Sequence, residues 1–327
     1  MSEKNGKKCV YITRRIPSAA VELLRDRFEV TMNASERNAR RAEIKQALKE
    51  AHALLCLLTD TVDDEIMASA PNLKIVANMA VGYDNIDLKA ATKRRIMVTN
   101  TPGVLTETTA DLTWALILGV ARRLVEADHY THEGKFSGWG PMLFMGADVD
   151  GKTLGIVGFG RIGQAVARRA LGFGMRVLYS DETRAAAALE RKLGAKKVSL
   201  ETLLRQSDFV TLHVPLTKST HHLIGREQLR LMKPTAYLIN TSRGPVVVEK
   251  ELVRALKDSA IAGAGLDVYE KEPKLARGLL DLRNVVLLPH IGSASTETRT
   301  KMAVMAAENI VVALSGGRPP NLLNEIR

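Results

Sequence analysis

Short apolar runs rich in β-branched residues alternate with longer mixed stretches from the beginning of the chain. The gaps between the first five runs are all helix-sized, as expected for strands that are joined by helices. A series of this kind predicts a parallel sheet with helices packed on it. The five predicted strands are 9–12, 28–32, 53–58, 73–79 and 96–98.

The pattern changes after residue 100 and then resumes. One long helix is predicted over 106–133, because apolar residues such as Trp114 recur on one face and its middle is too apolar to face water. A loop over 137–146 follows, and six more strands then alternate with helices to make a complete doubly wound sheet. Those strands are predicted at 153–157, 176–179, 209–213, 236–240, 261–267 and 285–288.

Two series of strands imply two domains, each large enough to bury its own core. A last helix is predicted over 295–314, and a helix in that place can return to the first domain. We therefore predict one domain from residues 1–103 plus 295–327 and a second domain from residues 104–294. Two crossings between the domains would form a hinge over a cleft.

Two of the predicted helices end without the glycine that commonly provides a left-handed residue at this place. Arg95 follows one of these helices and Ser259 follows the other. A positive φ at either position would cost up to about 1 kcal/mol relative to glycine.

The composition is that of an ordinary globular protein, with 46% hydrophobic and 25% charged residues among 327, which excludes a disordered or fibrous chain. The longest apolar run, 112–121, falls well short of the roughly 20 residues that cross a bilayer. The polar, basic start of the chain shows no export signal. Two cysteines, Cys9 and Cys56, lie in separate apolar runs, which favours buried free thiols in a reducing compartment, the cytoplasm.

The net charge is +11 with His neutral, from 47 Lys and Arg against 36 Asp and Glu. Nucleic-acid binding is not predicted, because the basic residues are scattered in doublets and aromatic residues make up only 4% of the chain. The excess charge is better suited to attracting small anions. A metal site is not predicted either, because His129 with His132 and His221 with His222 have no cysteine or carboxylate cluster nearby.

A glycine-rich motif, GFGRIG at 158–163, follows one predicted strand and opens a helix. The motif alone is weak evidence, but the strand, the helix and an acid at Asp181 all fall where a dinucleotide site needs them. Gly158 would make the tight turn, Gly160 would let the backbone approach a pyrophosphate, and Gly163 would let helix and strand pack. The phosphates would lie at the helix N-terminus.

The position of Asp181, at the end of the next predicted strand, bears on cofactor choice. A carboxylate there would accept hydrogen bonds from both ribose hydroxyls of NADH and would repel the 2′-phosphate of NADPH. Arg184 could partly offset that repulsion. A simpler role, in which Asp181 only caps the following helix, is also consistent with the sequence.

Three residues with useful chemistry follow three later strands, where sheets of this kind bind ligands. Arg243, Glu272 and His290 would suit hydride transfer to a 2-keto acid. Arginine supplies a forked cation for carboxylate and carbonyl oxygens, histidine supplies the proton, and glutamate holds the imidazole and favours its charged form. From spacing alone, a surface arginine, a helix-capping glutamate and a core histidine are equally consistent.

Seven motifs that occur in order along the whole chain resemble the D-2-hydroxyacid dehydrogenase family, and within it the glyoxylate/hydroxypyruvate and 2-ketogluconate reductase branch. They are VGYDNID at 81–87, NTPGVLT at 100–106, GFGRIG at 158–163, HVPLT at 213–217, NTSRG at 240–244, AGLDV at 264–268 and PHIGSA at 289–294. The resemblance implies a flavodoxin-like substrate domain, a Rossmann cofactor domain and an NAD(H) cofactor, with NADP(H) less favoured. It also implies reduction of glyoxylate or hydroxypyruvate to the hydroxy acid.

The resemblance also assigns residues. Arg243, Glu272 and His290 match the catalytic trio, with Arg243 also on the substrate, and the backbone of Val81 and Gly82 matches the site for the substrate carboxylate. Asp267 matches the nicotinamide contact, and residues 213–215 match the wall beside the adenosine. Together with the glycine-rich motif, the cofactor residues are Gly158, Gly160, Arg161, Ile162, Gly163, Asp181, His213, Val214, Pro215, Thr241, Asp267 and Gly292.

A homodimer is predicted, because helix 106–133 has more apolar surface than one sheet can cover and two-fold dimers are the commonest solution. By the resemblance, Trp139 corresponds to a tryptophan that can reach the partner's active site. One departure is Val248, where the family usually has an aspartate that caps the next helix; losing that cap would cost about 1 kcal/mol.

Two alternatives to glyoxylate or hydroxypyruvate reduction remain. Gly244-Pro245-Val246-Val247 also resembles the 2-ketogluconate reductases. The fold also occurs in nicotinamide-sensing regulatory proteins, since fold alone does not determine function. A regulator would be expected to carry a basic or disordered tail and would not need the trio, so an enzyme is favoured.

Overall fold

The computed structural model describes residues 7–33 and 35–326; the first six residues, part of the basic start of the chain, lie outside this part, as do residues 34 and 327. The chain divides into two compact units, Met1–Leu105 with Ser293–Arg327 (unit 1) and Thr106–Gly292 (unit 2). Each unit has a parallel sheet with helices on both faces. The predicted fold class, two doubly wound α/β domains, is therefore confirmed.

Unit 1 contains, within its described residues, five parallel strands in the order β2-β1-β3-β4-β5. The strands are β1 (Cys9–Ile12), β2 (Glu29–Met32), β3 (Ala53–Cys56), β4 (Ile75–Asn78) and β5 (Met97–Thr99). The first helices are α1 (Ser18–Arg25), α2 (Arg41–Leu48), α3 (Asp64–Ala68) and α4 (Leu88–Lys93). This strand order is the flavodoxin-like one, and all five predicted strands are present.

Both faces of the unit 1 sheet are covered, which explains why its central strands are apolar throughout. Every residue of β3 and β4 is buried. One face packs against Leu24 of α1 and Ile310 of the C-terminal helix Thr296–Leu314, and the other packs against Leu48 and Ile66. The C-terminal helix thus packs on the sheet of unit 1.

Unit 2 contains seven parallel strands in its described residues, in the order β12-β11-β10-β9-β6-β7-β8. They are β6 (Thr153–Val157), β7 (Arg176–Ser180), β8 (Ala195–Lys197), β9 (Phe209–Leu212), β10 (Tyr237–Asn240), β11 (Gly263–Leu266) and β12 (Val285–Leu287). The helices are α5 (Thr106–Ala121), α6 (Leu124–His132), α7 (Arg161–Ala170), α8 (Ala187–Leu193), α9 (Leu200–Gln206), α10 (Arg226–Leu231) and α11 (Glu249–Lys257). Six of these strands were predicted and β8 was not. The order reverses between β6 and β9, and ligands bind at such a point in open sheets.

The single helix predicted over 106–133 is wrong. The structure has two helices, α5 and α6, which are separated at Arg123, where φ is 55°. A right-handed helix cannot continue through a left-handed residue. The Arg123 guanidinium pairs with Glu126 at 2.9 Å and lies 5.1 Å from the centre of the Phe144 ring. Both contacts stabilise the break, and the one with Phe144 depends on a loop that is distant in sequence.

Two predicted weak points are present in the backbone. Arg95 has φ 56° after α4, and Ser259 has φ 52° after α11. Both residues therefore adopt the left-handed conformation that glycine adopts at lower cost. The N-terminus of α11 follows Val248, whose side chain makes no capping hydrogen bond.

Candidate active site

The glycine-rich loop joins β6 to α7. Its three glycines differ in how much space a side chain would have at each position. Gly158 has φ 91°, and a Cβ there would lie 2.7 Å from the carbonyl carbon of His213. A Cβ on Gly163 would lie 2.2 Å from the Gly158 carbonyl oxygen. A Cβ on Gly160 would meet no described atom within 4 Å. The loop is therefore closed toward the protein and open at Gly160, as a phosphate-binding turn at a helix N-terminus requires.

Asp181 lies directly after β7, in a turn that its side chain connects to the glycine-rich loop by a hydrogen bond. Its Oδ2 accepts a hydrogen bond from the Phe159 amide at 2.7 Å, and its Oδ1 accepts one from the Thr183 amide at 2.9 Å. The following helix, α8, begins only at Ala187, so Asp181 does not cap it. Asp181 lies in the adjoining turn and orders the loop.

Arg184 is bound to α8. Its guanidinium donates to Glu190 at 3.1 and 3.0 Å, and Glu190 also accepts a hydrogen bond from Tyr179 at 2.6 Å. These contacts hold the Arg184 side chain against Glu190, which reduces the charge that it can offer to a neighbouring anion.

The wall opposite the glycine-rich loop is formed by the end of β9. Neither nitrogen of the buried His213 imidazole has a hydrogen-bond partner among the described residues, and burial lowers the pKa of this side chain to about 3. Val214 is half-buried against the core, and Pro215 is exposed. A neutral imidazole with two unsatisfied nitrogens fits a site that a polar ligand completes. With the open glycine loop, these residues fit a dinucleotide; Arg161 and Ile162, the first residues of α7, lie beside them.

The loop of Arg243 follows β10 and approaches the segment after β11 very closely. A Cβ on Gly244 would lie 1.8 Å from the carbonyl carbon of Tyr269, so only glycine allows this contact. Asn240 holds the loop, because its amide donates to the Arg243 carbonyl and its Oδ1 accepts from Ser242. Arg243 is thereby placed near Glu272, whose charge it stabilises.

Glu272 and His290 are in direct contact. The Oε2 atom of Glu272 lies 2.9 Å from Nδ1 of His290, and its Oε1 accepts a hydrogen bond from the Tyr269 amide at 3.0 Å. Burial raises the pKa of Glu272, but the hydrogen bond and charge of His290 outweigh it, so the pKa lies below its usual range. The structure therefore brings together all three members of the predicted trio.

Asp267 is 1% exposed and binds the backbone that follows His290. Its two oxygens accept hydrogen bonds from the amides of Ile291 and Gly292, each at 2.7 Å. Burial raises the pKa of Asp267 despite these bonds and the nearby His290. His290 has φ 57°, and such a conformation persists only where neighbouring contacts hold it.

Two threonines of α5 contact the same region. The Thr109 hydroxyl donates to the Gly292 carbonyl at 3.1 Å, and the Thr113 hydroxyl lies 2.9 Å from that of Thr241. Thr241 and Gly292, both predicted cofactor residues, are therefore fixed by α5.

The predicted substrate residues Val81 and Gly82 lie in unit 1, after β4. Asn100 donates to the Val81 carbonyl at 2.8 Å, and Asn78 donates to the Gly82 carbonyl at 2.9 Å. These bonds give the turn a defined backbone. Trp139 lies in the loop after α6 and is 85% exposed.

A group of residues beside the trio was missed by the sequence analysis. Glu249, Glu270 and His222 form a hydrogen-bonded cluster, with Glu270 Oε1 3.0 Å from His222 Nε2. Glu270 accepts the Glu249 amide and so supplies the cap that Val248 lacks. In the sequence, only the lack of a capping side chain at Val248 indicated that a residue from elsewhere in the chain caps α11.

No group of three or more metal-binding side chains occurs among residues 7–33 and 35–326. None of the helices in this part of the chain combines the length and apolar character that crossing a bilayer requires.

Known proteins resemble this chain along almost its full length. Residues 114–292 match the family described as D-isomer specific 2-hydroxyacid dehydrogenase, NAD binding domain. The glyoxylate reductase of Thermococcus litoralis is 52% identical over 320 residues, which are 97% of this chain and 96% of the relative. The glyoxylate reductase of Korarchaeum cryptofilum is 56% identical over 318 residues, again 97% and 96%.

A solved structure is also similar. The NADPH-dependent glyoxylate/hydroxypyruvate reductase of Sinorhizobium meliloti, in complex with NADP and malonate, has a TM-score of 0.87 at 33% identity. The match covers 97% of each chain.

Proposed function

The chain belongs to the D-isomer specific 2-hydroxyacid dehydrogenase family, and we propose that it is a glyoxylate reductase that also accepts hydroxypyruvate. It is an NAD(P)-dependent oxidoreductase. The observation that carries the proposal is the 2.9 Å contact between His290 Nδ1 and Glu272 Oε2, beside the loop of Arg243. An imidazole held by a carboxylate next to a guanidinium is suited to protonating the carbonyl oxygen of a small anionic substrate.

The nicotinamide cofactor, when bound, supplies the hydride that reduces the carbonyl carbon. The glycine-rich loop, Asp181 and residues 213–215 would hold it. The chain must then bind the keto acid, orient its carbonyl group and deliver one proton.

Arg243 binds the carboxylate and carbonyl oxygens, because a guanidinium offers two parallel donors to a planar anion. His290 delivers the proton. Its Nδ1 faces Glu272, so Nε2 is the nitrogen that donates to the forming alkoxide. Glu272 stays ionised because its pKa is lowered, and it therefore stabilises the charged imidazole and does not itself donate a proton. We assign the role of carboxylate binding in unit 1 to the backbone of Val81 and Gly82.

NADH is proposed as the preferred cofactor. Asp181 presents a carboxylate beside the glycine-rich loop, and Arg184 is paired with Glu190. A 2′-phosphate would therefore meet the negative charge of Asp181 while Arg184, three residues further on, is already paired with Glu190. The Sinorhizobium meliloti relative is NADPH-dependent, so this preference needs direct measurement.

A homodimer is proposed as the working state. We expected the excess apolar surface on the predicted helix 106–133. Exposed apolar side chains lie on α6, in the second half of that range, and on the loop after it, and not on α5. They are Leu124, Val125, Phe136, Trp139, Met142, Leu143 and Met145. Several large apolar side chains exposed within one stretch of chain favour a subunit interface there. Trp139 would then be available to a partner's site.

Two free cysteines, of which Cys56 is buried and Cys9 half-buried, fit a reducing compartment such as the cytoplasm.

The test is a steady-state comparison of glyoxylate, hydroxypyruvate, 2-ketogluconate and pyruvate with NADH and with NADPH. We expect glyoxylate or hydroxypyruvate to give the highest kcat/KM. A higher kcat/KM for 2-ketogluconate would reject the proposed substrate. No turnover with any of these keto acids would reject the proposed reductase activity.

A further inference from the structure

The segment that carries Glu272 is held at both ends by one buried carboxylate. Glu249, the first residue of α11, is 4% exposed. Its Oε2 accepts a hydrogen bond from the Glu270 amide at 2.9 Å, and its Oε1 accepts one from the Ala276 amide at 2.9 Å. Because residues 270 and 276 bracket Glu272, a single side chain fixes both ends of the segment.

Glu270 returns the contact to Glu249. Its Oε2 accepts a hydrogen bond from the Glu249 amide at 3.0 Å, and its Oε1 lies 3.0 Å from His222 Nε2. The two residues thus exchange hydrogen bonds, each main-chain amide donating to the other's carboxylate. Burial opposes the charge of Glu270, but these bonds outweigh it and hold the pKa of Glu270 below its usual range. The negative charge at the N-terminus of α11 is favourable as well.

His222 connects this pair to the loop of Arg243. The His222 amide donates to the Pro245 carbonyl at 2.8 Å, two residues after Arg243. The same loop approaches Tyr269 at Gly244, and the Tyr269 amide donates to Glu272. The contacts therefore form a closed path from Glu270 to the segments of both Arg243 and Glu272. The charged or titratable groups that face Glu270 are His222, Glu249 and Lys271.

We propose that Glu249 and Glu270 are positioning residues for proton transfer, which act by holding Glu272 against Nδ1 of His290. This inference rests on the proposed function, in which His290 delivers the proton. Freeing residue 270 would allow the backbone of 269–272 to move. A displacement of about 1 Å in such a site can lower the rate by up to about 100-fold.

The first experiment compares Glu270→Ala with Glu270→Gln. Alanine removes both acceptors, and we expect kcat to fall about tenfold with the KM for cofactor unchanged within about twofold. Glutamine retains an acceptor for the Glu249 amide, and its NH2 group can donate to a neutral His222, so we expect near wild-type kcat. Ser199→Ala is the matched control, because it removes the cap of α9 in the same unit, far along the chain from the trio. It should lower stability without changing kcat.

The second experiment asks whether Glu270 acts through Glu272. In a Glu272→Gln background, Glu270→Ala should lower kcat by less than about twofold further, because the contact that it protects has already lost its charge. Alone, Glu270→Ala should also shift the pH profile of kcat/KM in the same direction as Glu272→Gln. If Glu270 only supported the fold, Glu270→Ala would lower kcat by the same factor in both backgrounds. It would also leave the pH profile of kcat/KM unchanged.

A wild-type kcat and a wild-type pH profile in Glu270→Ala would overturn the inference. So would a double variant whose kcat falls by the product of the factors seen in the two single variants. If thermal unfolding shows that Glu270→Ala does not fold, Glu249→Gln takes its place. That variant keeps one acceptor and loses the other, and it should lower kcat severalfold with the same pH shift; an unchanged profile would again reject the inference. Full activity in Glu272→Gln and His290→Asn would instead reject the proposed function itself.

Discussion

Glu272 and His290 are 18 residues apart in the chain and are joined by a 2.9 Å contact between Oε2 and Nδ1. Each side is fixed by backbone hydrogen bonds, the glutamate through the Tyr269 amide and the histidine loop through Asp267. The contact therefore depends on the positions of two loops and not on either side chain alone. This arrangement determines which substitutions test it cleanly.

His290→Asn should lower kcat for keto-acid reduction by about 100-fold or more, because a positioned general acid contributes 10²–10⁴. Asparagine is preferred to alanine here, since it tolerates the left-handed conformation that His290 adopts. Cofactor affinity, measured by fluorescence titration, should remain within a few fold of wild type. Near wild-type turnover would contradict the assignment of the proton donor.

Glu272→Gln should change the pH profile of reduction. Reduction needs a protonated His290, so activity falls as the pH rises and that proton is lost. Burial opposes the charge of Glu272, but its contact with His290 keeps the Glu272 pKa below its usual range, so the carboxylate is ionised and stabilises a positive imidazole. Removing the charge of Glu272 should therefore move this falling limb to lower pH. The profile of kcat/KM between pH 5 and 9 measures it, and an unmoved limb would mean that the two groups do not interact in the enzyme.

Cofactor preference should depend on Asp181 and on the pairing of Arg184. We expect kcat/KM for NADH to exceed that for NADPH by at least about tenfold, which corresponds to about 1.4 kcal/mol. Asp181→Ser should reduce this ratio. Glu190→Gln should also reduce it, because Arg184 is then freed from its 3.0 Å ion pair. Equal use of both cofactors by the unmodified protein would show that Asp181 does not discriminate.

Two glycines should respond differently to alanine. Gly244→Ala places a Cβ 1.8 Å from the Tyr269 carbonyl carbon, so the loops of Arg243 and Glu272 must separate, and both the melting temperature and kcat should fall. Gly160→Ala meets no described atom within 4 Å and should leave the melting temperature nearly unchanged while raising the KM for cofactor. Thermal unfolding and kinetics of the two variants give the comparison. Equal melting temperatures would show that the loops can accommodate the added methyl group.

Formation of the dimer should depend on the exposed apolar side chains of the loop after α6. Sedimentation at micromolar concentration should give a dimer, with a monomer expected near 36 kDa from the 35.8 kDa chain. Replacing Met142 and Met145, which are 75% and 60% exposed, with serine should shift the protein toward monomer. Leu280→Ser, at an exposed apolar residue outside this loop, is the control. A wild-type monomer would reject the dimer.

The sequence predicted the sheets well because buried parallel strands are apolar on both faces, a pattern that is visible without tertiary information. Strand β8, with the sequence AKK, was missed because it lies at the edge of its sheet and has little apolar character. The break at Arg123 was missed because contacts with Glu126 and Phe144 stabilise it, and no glycine or proline marks it.

The trio was predictable from its place after three strands, together with the family motifs. The contacts by which Asp267 and Glu249 hold it were not predictable, because these carboxylates bind backbone amides 21 to 27 residues away and every residue type except proline offers the same amide. Asp181 was predicted at the cofactor, but its hydrogen bond to the Phe159 amide was not.

The two units also differ in when their residues leave the ribosome. Unit 2 is one continuous stretch, Thr106–Gly292, whereas unit 1 needs Ser293–Arg327 to complete it. The C-terminal helix covers one face of the unit 1 sheet together with α1. During synthesis the part of that face which the C-terminal helix covers therefore stays exposed until Thr296–Leu314 has emerged, after the whole of unit 2. Unit 2 should therefore be able to fold first, whereas unit 1, whose five strands have already emerged, still lacks the helix that covers part of one face of its sheet.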